Sequence, residues 1–340
     1  MAQPIETTDV VIVGAGPVGL FAVFELGMLK IRSHLIDSLG AIGGQCAALY
    51  PEKPIYDIPG YPKVMAGELI EQLKAQAAPF KPVYHLGQRC DRVERQADGG
   101  WLVETSAGSR IACRAIVIAA GSGAFGPNRP PLSGIEDYEE RSVFYLVARR
   151  EDFRGKRIVI AGGGDSAVDW ALSLAELAEK IYVVHRRAKF RAAPESVAQM
   201  QHLAAEGPLE LVVPYQLHGL EGTDGRLEAV IVRSLEGDER RLPADALLAF
   251  FGLSMNLGPI AEWGLALDHH HVTVDPASCQ TSQPGIFAIG DIAHYPGKLK
   301  LILTGFADAA AAAHAIHHLV YPDQELHWEY STTKGLPGAA

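Results

Sequence analysis

Two glycine loops carry the first chemical information in this chain: Gly14-Ala15-Gly16-Pro17-Val18-Gly19 and Gly162-Gly163-Gly164-Asp165-Ser166-Ala167. A loop of this type between a strand and a helix brings backbone N–H groups close to a pyrophosphate and sets the phosphates on the positive end of the helix. Two of them in one chain imply two dinucleotides. The simplest chemistry for two redox dinucleotides held by one protein is electron transfer between them.

The elements around each loop must place it. Asp9-Val10-Val11-Ile12-Val13 reads as a buried parallel strand, and Leu20 to Leu29 as the helix that follows. Gly14 permits the tight turn, Gly16 the approach of the pyrophosphate, and Gly19 lets the helix pack closely on the sheet, with Pro17 a further residue of the dinucleotide site. The next strand, His34-Leu35-Ile36, ends in Asp37, a carboxylate placed to accept hydrogen bonds from an adenosine ribose. The second loop follows the strand Arg157 to Ala161 and opens a helix over Val168 to Ala178, so Gly162, Gly164, Asp165 and Ser166 line its phosphate site. Here the strand Ile181 to Val184 ends not in an acid but in His185-Arg186-Arg187-Ala188-Lys189-Phe190-Arg191. Guanidinium groups at that position suit a 2′-phosphate, which makes NADP(H) the expected second ligand. A solvated basic turn is the other reading of the same residues.

The 340 residues are 48% hydrophobic and 21% charged, ordinary proportions for two globular cores. A net charge of −10 argues against broad attraction to nucleic acid or an anionic membrane. The first residues, Met1-Ala2-Gln3-Pro4-Ile5-Glu6, carry neither a basic segment nor an apolar signal core, so a cytoplasmic location is expected. Two basic clusters, Arg141 to Arg157 and Lys298 with Lys300, either steer an acidic partner or are charged connections. His269-His270-His271 lies in a turn without fixed partner spacing, and no metal site is expected.

The element order is α/β, with one Rossmann-like dinucleotide-binding domain inserted into another. Residues 1–122 form the first part of one domain, with a hairpin around Asp98-Gly99-Gly100 and a closing strand Ala115 to Ala119. Residues 123–252 form the inserted domain, in which Leu227 to Arg233 and Ala246 to Phe251 read as hairpin strands. Residues 253–340 return to the first domain through the strand Ile286 to Ile289, Gly290-Asp291 and a long alanine-rich helix, Ile302 to Leu319. Asp291 is placed to accept from the ribityl hydroxyls of a flavin; as a bare Gly-Asp pair it also reads as a turn.

Val13-Gly14-Ala15-Gly16-Pro17, Gly43-Gly44-Gln45, Gly162 to Ala167, His185-Arg186-Arg187 and Ala288-Ile289-Gly290-Asp291-Ile292, in this order, resemble the flavoproteins built like thioredoxin reductase. The resemblance implies a three-layer ββα sandwich for each domain, FAD in the discontinuous one, NADP(H) in the inserted one, and a homodimer. Thioredoxin reductases carry Cys-x-x-Cys just before the second glycine strand, whereas Val143 to Arg150 here holds no cysteine. In the pattern of glutathione-reductase-like enzymes Cys46 takes the place of the first cysteine, but Pro51 stands where the second belongs. Cys46, Cys90, Cys113 and Cys279 show no redox or metal spacing. Cys46 is either a small buried residue or a lone reactive thiol.

Gly44 to Asp57, Gly123-Ala124-Phe125-Gly126-Pro127 and Tyr330-Ser331-Thr332-Thr333 narrow the resemblance to ferredoxin-NADP reductases of the thioredoxin-reductase type, over nearly the full length. By that resemblance Gln45, Tyr50, Phe125, Asp291 and Thr332 contact FAD, Cys90 lies by the adenine through its backbone, and Tyr50 and Tyr330 stack on the flavin. Read without it, the aromatic residues belong to a core or an interface. The tail Lys334 to Gly338 departs from the family pattern. The implied reaction is hydride transfer between nicotinamide and flavin N5, coupled to one-electron exchange with ferredoxin or flavodoxin. A hinge between the domains is expected to bring the two rings together. An NADPH-dependent reductase of a thiol protein, quinone or oxygen, and a non-catalytic redox sensor binding both dinucleotides, remain open alternatives.

Overall fold

The computed structural model describes residues 4–325, and of these the side chains of all but 124, 125, 127 and 253–255. The chain divides into two units, Met1–Phe125 with Met255–Ala340, and Gly126–Ser254. Tyr330 and Thr332 lie outside the described residues, as does the side chain of Phe125.

In the first unit five parallel strands run in the order Ile286–Ala288, Ala115–Ile118, Val10–Val13, Ser33–Asp37, Val83–Leu86. Successive side chains of a strand point to opposite faces, so an unbroken apolar run supplies two cores at once. Val10, Ile12, Leu35, Val117 and Phe287 pack on the helices Pro17–Met28 and Ile302–Val320, through Val23, Leu26, Ala309 and Ile316 among others. Val11, Val13, Ile36, Ile116 and Ile118 pack on the second sheet, through Trp101, Val103 and Ile111. That sheet has the order Ile5–Thr7, Arg110–Cys113, Trp101–Thr105, Cys90–Arg95, and the Cys90–Arg95 and Trp101–Thr105 pair is the hairpin expected around Gly99. The result is a ββα sandwich. Each large side chain buried as fully as Phe287 or Ile12 contributes about 1.5–3 kcal/mol.

The second unit repeats the plan. Its parallel strands run Val143–Phe144, Ala246–Ala249, Arg157–Ala161, Lys180–Val184, Leu209–Val212. Val159, Ala161, Val184 and Leu247 face a three-stranded antiparallel sheet, Tyr215–Thr223, Arg226–Ser234 and Glu239–Pro243, through Val230, Val232 and Leu242. The helices are Asp165–Leu174 and Pro194–Glu206.

One expectation fails here. Ala246–Ala249 is not a hairpin strand but an inner strand of the parallel sheet, paired on both sides and buried at all four positions. Four consecutive apolar residues fit a strand covered on both faces, whereas a hairpin strand with one wet face alternates. Both glycine helices also begin about three residues earlier than their apolar periodicity suggests, at Pro17 and Asp165. No helix among the described residues is long and apolar enough to cross a membrane.

Candidate functional site

Both parallel sheets reverse their strand order beside the strand that leads into the glycine loop, Val10–Val13 in one unit and Arg157–Ala161 in the other. A crevice opens at that switch, outside the carboxyl ends of the strands. In the first unit the crevice is a cleft lined from Ile289-Gly290-Asp291 through Ala119-Ala120-Gly121, Gly14 with Gly16-Pro17-Val18, and Asp37-Ser38-Leu39 to Gln88-Arg89-Cys90, which is the spatial order of its five strands. Gln45, Cys46 and Tyr50 line it as well.

The glycine positions differ in what they serve. Gly14 has φ +114°, and a Cβ there would lie 2.4 Å from the Ala119 carbonyl oxygen. A Cβ on Gly19 would lie 2.0 Å from the Gly14 carbonyl oxygen, so Gly19 stands behind the loop, locking helix to strand, and does not line the cleft. At Gly16 the nearest protein atom to a Cβ is 3.9 Å away. Protein packing therefore does not demand Gly16, which leaves room for a ligand as its reason. The helix Pro17–Met28 has no side-chain cap and no acid in its first turn, so its first N–H groups remain available to an anion.

Asp37 does more than the sequence suggests. One carboxylate oxygen accepts from the Ala15 N–H at 2.7 Å and the other from the Leu39 N–H at 2.8 Å. The carboxylate thereby ties the glycine loop to the end of the neighbouring strand, and each oxygen retains a lone pair. Burial raises its pKa while the two backbone donors oppose the rise. Asp291, at the other end of the cleft, is also raised by burial, against the lowering fields of Lys300, Lys298 and His271.

A group that sequence reading missed supports Asp291. Asp308, on the helix Ile302–Val320, accepts from the Gly290 N–H at 2.9 Å and from the Tyr295 hydroxyl at 2.9 Å, and pairs with the Lys298 ammonium. Both charged side chains are buried, 4% exposed for Lys298 and 3% for Asp308. Lys298 is thus neither a steering charge nor a solvated loop residue. A lone acid in an alanine-rich helix was the available signal. The other basic cluster is largely neutralised locally, by Arg149 with Asp152, Arg154 with Glu151 and Arg157 with Asp245.

Burial pushes the Cys46 thiol up to about 11, against its hydrogen bond with the Tyr50 hydroxyl, and pushes the tyrosine up as well. The Lys53 ammonium lies 5.6 Å from the Tyr50 ring centroid. Cys90 lines the cleft, but its side chain is buried in the apolar cluster with Trp101 and Val103. All four cysteines are buried and free. A neutral, buried thiol is a poor nucleophile.

In the second unit the loop after Lys180–Val184 is pinned at several points. The Arg191 N–H donates to the Gly163 carbonyl at 2.6 Å, and the Ala193 N–H donates to the Asp165 carboxylate at 3.1 Å. The His185 and Phe190 rings meet at a tilt of 35° with centroids 5.3 Å apart, and a Cβ on Gly163 would lie 2.3 Å from the imidazole. A Cβ on Gly164 would meet nothing within 4 Å. The pinning leaves Arg186, Arg187 and Arg191 exposed, and none of the three pairs with a carboxylate among the described residues. His185 Nε2 is buried without a hydrogen-bond partner among the described residues. Burial lowers the His185 pKa, and Arg186, Arg191 and Arg187 add to the lowering while a backbone contact at Lys189 opposes it.

A family model described as pyridine nucleotide-disulphide oxidoreductase matches residues 8–314. A Paramagnetospirillum magneticum protein named ferredoxin-NADP reductase is 62% identical over 337 residues, covering 99% of each chain. One of the same name from Granulibacter bethesdensis is 64% identical over 338 residues, 99% of this chain and 96% of its own. Among solved structures, Lactococcus lactis thioredoxin reductase superposes with TM-score 0.80 at 25% identity, over 93% of this chain and 99% of its own.

Proposed function

The chain belongs to the pyridine nucleotide-disulphide oxidoreductase family, and from that membership we propose that it transfers electrons between NADP(H) and ferredoxin through bound FAD. The observation that carries the choice of nucleotide is the pinned loop holding Arg186, Arg187 and Arg191 free of carboxylates beside the second glycine loop. The carriers named for the 62–64% identical relatives supply ferredoxin as the partner.

The residues present fit both cofactors. FAD is assigned to the cleft of the first unit, where open space at Gly16 and an uncapped helix start accommodate a pyrophosphate, with carboxylates at both ends, Asp37 and Asp291. Gln45, Tyr50 and the Cys90 backbone complete its contacts, with Phe125, Tyr330 and Thr332 assigned from the family resemblance. NADP(H) is assigned to the second unit, its phosphates at Gly162, Gly164, Asp165 and Ser166, its 2′-phosphate at Arg186, Arg187 and Arg191, and the orphaned His185 Nε2 is a further polar contact.

FAD supplies the chemistry that joins a two-electron donor to one-electron carriers. Asp37 and Asp291 orient the ligand by accepting hydroxyl hydrogen bonds, Asp308 holds the Gly290 turn in register through its N–H, and the apolar walls at Leu257, Ile260 and Ile302 exclude water. No side chain need donate or remove a proton. The buried, unpaired cysteines offer no dithiol relay, so a bound flavin would exchange electrons directly with an external carrier. Flavodoxin as a second carrier, a homodimer and a cytoplasmic location belong to the same proposal. Anaerobic reduction by NADPH followed by a panel of ferredoxin, flavodoxin, thioredoxin and quinone tests it. Fast reoxidation by ferredoxin is expected, and turnover with thioredoxin or quinone alone would overturn it.

A further inference from the structure

We propose that Glu6, His34 and His85 form a binding site for one divalent transition-metal ion, Zn2+ by the character of the ligands, separate from the dinucleotide cleft of the first unit. None of the three lines that cleft. His34 and His85 lie on neighbouring parallel strands, in which His34 pairs with Val83 and Ile36 with His85. The period of two puts both histidines on the face that carries Ile36, which is the face packed on the second sheet. Glu6 reaches the same point from the edge strand Ile5–Thr7 of that second sheet.

The three ligand atoms are close enough to share one ion. His34 Nδ1 and His85 Nε2 are 3.1 Å apart, and Glu6 Oε2 is 3.9 Å from the first and 4.0 Å from the second. Those separations leave a point about 2.2 Å from all three atoms, in their own plane and within about 0.2 Å of zinc–nitrogen lengths of about 2.0–2.1 Å and zinc–oxygen lengths of about 2.0–2.2 Å. The histidine side chains are 11% and 9% exposed, while Glu6 is 45% exposed and leaves an entry path and a fourth position for water. Burial, with His85 and Arg32 adding to it against the pull of Glu6, lowers the His34 pKa. The Arg32 guanidinium is itself paired with Asp9 at 3.0 Å, which blunts its repulsion of a cation. Ion entry needs no redox step: the hydrogen shared between the two rings moves to the other nitrogen of its own ring. Two imidazoles and a carboxylate are the ligand set of a zinc site with an open position.

The full-length flavin-loaded protein, dialysed against EDTA, is titrated with zinc sulfate by calorimetry, and retained zinc is counted after gel filtration. One equivalent per chain is expected in the wild type, held at least tenfold more tightly than by Glu6→Gln or His85→Gln. Glu6 is half-exposed, so Glu6→Gln reads out the site even if His85→Gln fails to fold. Equal zinc affinity in wild type and Glu6→Gln, as surface binding at His269 and His270 would give, overturns the proposal. So does a wild type that retains no zinc.

Discussion

Replacing Arg186 and Arg187 together by alanine removes the charges assigned to the 2′-phosphate without touching what holds their loop. The loop is fixed by the Arg191 and Ala193 N–H groups and by the His185 to Phe190 ring contact, none of which uses the two deleted side chains. A hydrogen bond to a charged group is worth about 1.5–3 kcal/mol. Both arginines are exposed, so the low end applies, and two such bonds make about 3 kcal/mol, or roughly a hundredfold in kcat/KM for NADPH. NADH has no 2′-phosphate and should stay within about threefold of the wild-type value. The assay is anaerobic flavin reduction across a concentration series of each dinucleotide, repeated at low and high salt. The wild-type preference should weaken with salt while that of the double variant does not. An unchanged NADPH to NADH ratio in the variant would refute the phosphate assignment, whether both values stay put or both fall together as they would if the loop positions the whole dinucleotide.

Three further outcomes are expected. Gly16→Ala should leave the thermal midpoint of the apoprotein unchanged but weaken FAD titration, whereas Gly19→Ala, whose Cβ would lie 2.0 Å from the Gly14 carbonyl oxygen, should lower the midpoint of the apoprotein itself. Lys298→Met leaves the Asp308 carboxylate buried without its cation, which should cost about 3 kcal/mol in urea unfolding, at the low end for a broken buried pair because the Gly290 and Tyr295 donors remain. Asp245 is held below the usual carboxylate range by Arg157, whose guanidinium and N–H both donate to it, against the opposing effect of burial. A depressed pKa contributes stability that is fully present above the ordinary value of 3.8 and is lost as pH falls through the folded-state value. The difference in urea midpoint between wild type and Asp245→Asn should therefore shrink as pH drops below about 4.

Much of the fold was legible because its signals are local. Apolar runs of four or five residues mark strands covered on both faces, and in each unit one such run, Val10–Val13 and Arg157–Ala161, leads directly into its glycine loop. Ala246–Ala249 was misread because a short apolar run does not say whether its partner strands run parallel or antiparallel; that is decided by what lies on both sides of it. Asp308 carries no local signal of its role because its partners, Gly290, Tyr295 and Lys298, come from a different segment and only helix packing brings the acid beneath the turn.

Residue type at short spacing is enough to read the two glycine loops, the acid after one, the arginines after the other and the missing dithiol. Tertiary structure alone decided how those residues are used. It spends part of Asp37 on the Ala15 and Leu39 N–H groups, buries Lys298 against Asp308, and frees the arginines by pinning their loop elsewhere. It also brings Glu6, His34 and His85 to one point from three strands of two sheets. The physical reason is that hydrogen bonds, ion pairs and ligand sets are satisfied by distance in space, and the order of strands in a sheet, not their order in the chain, sets that distance.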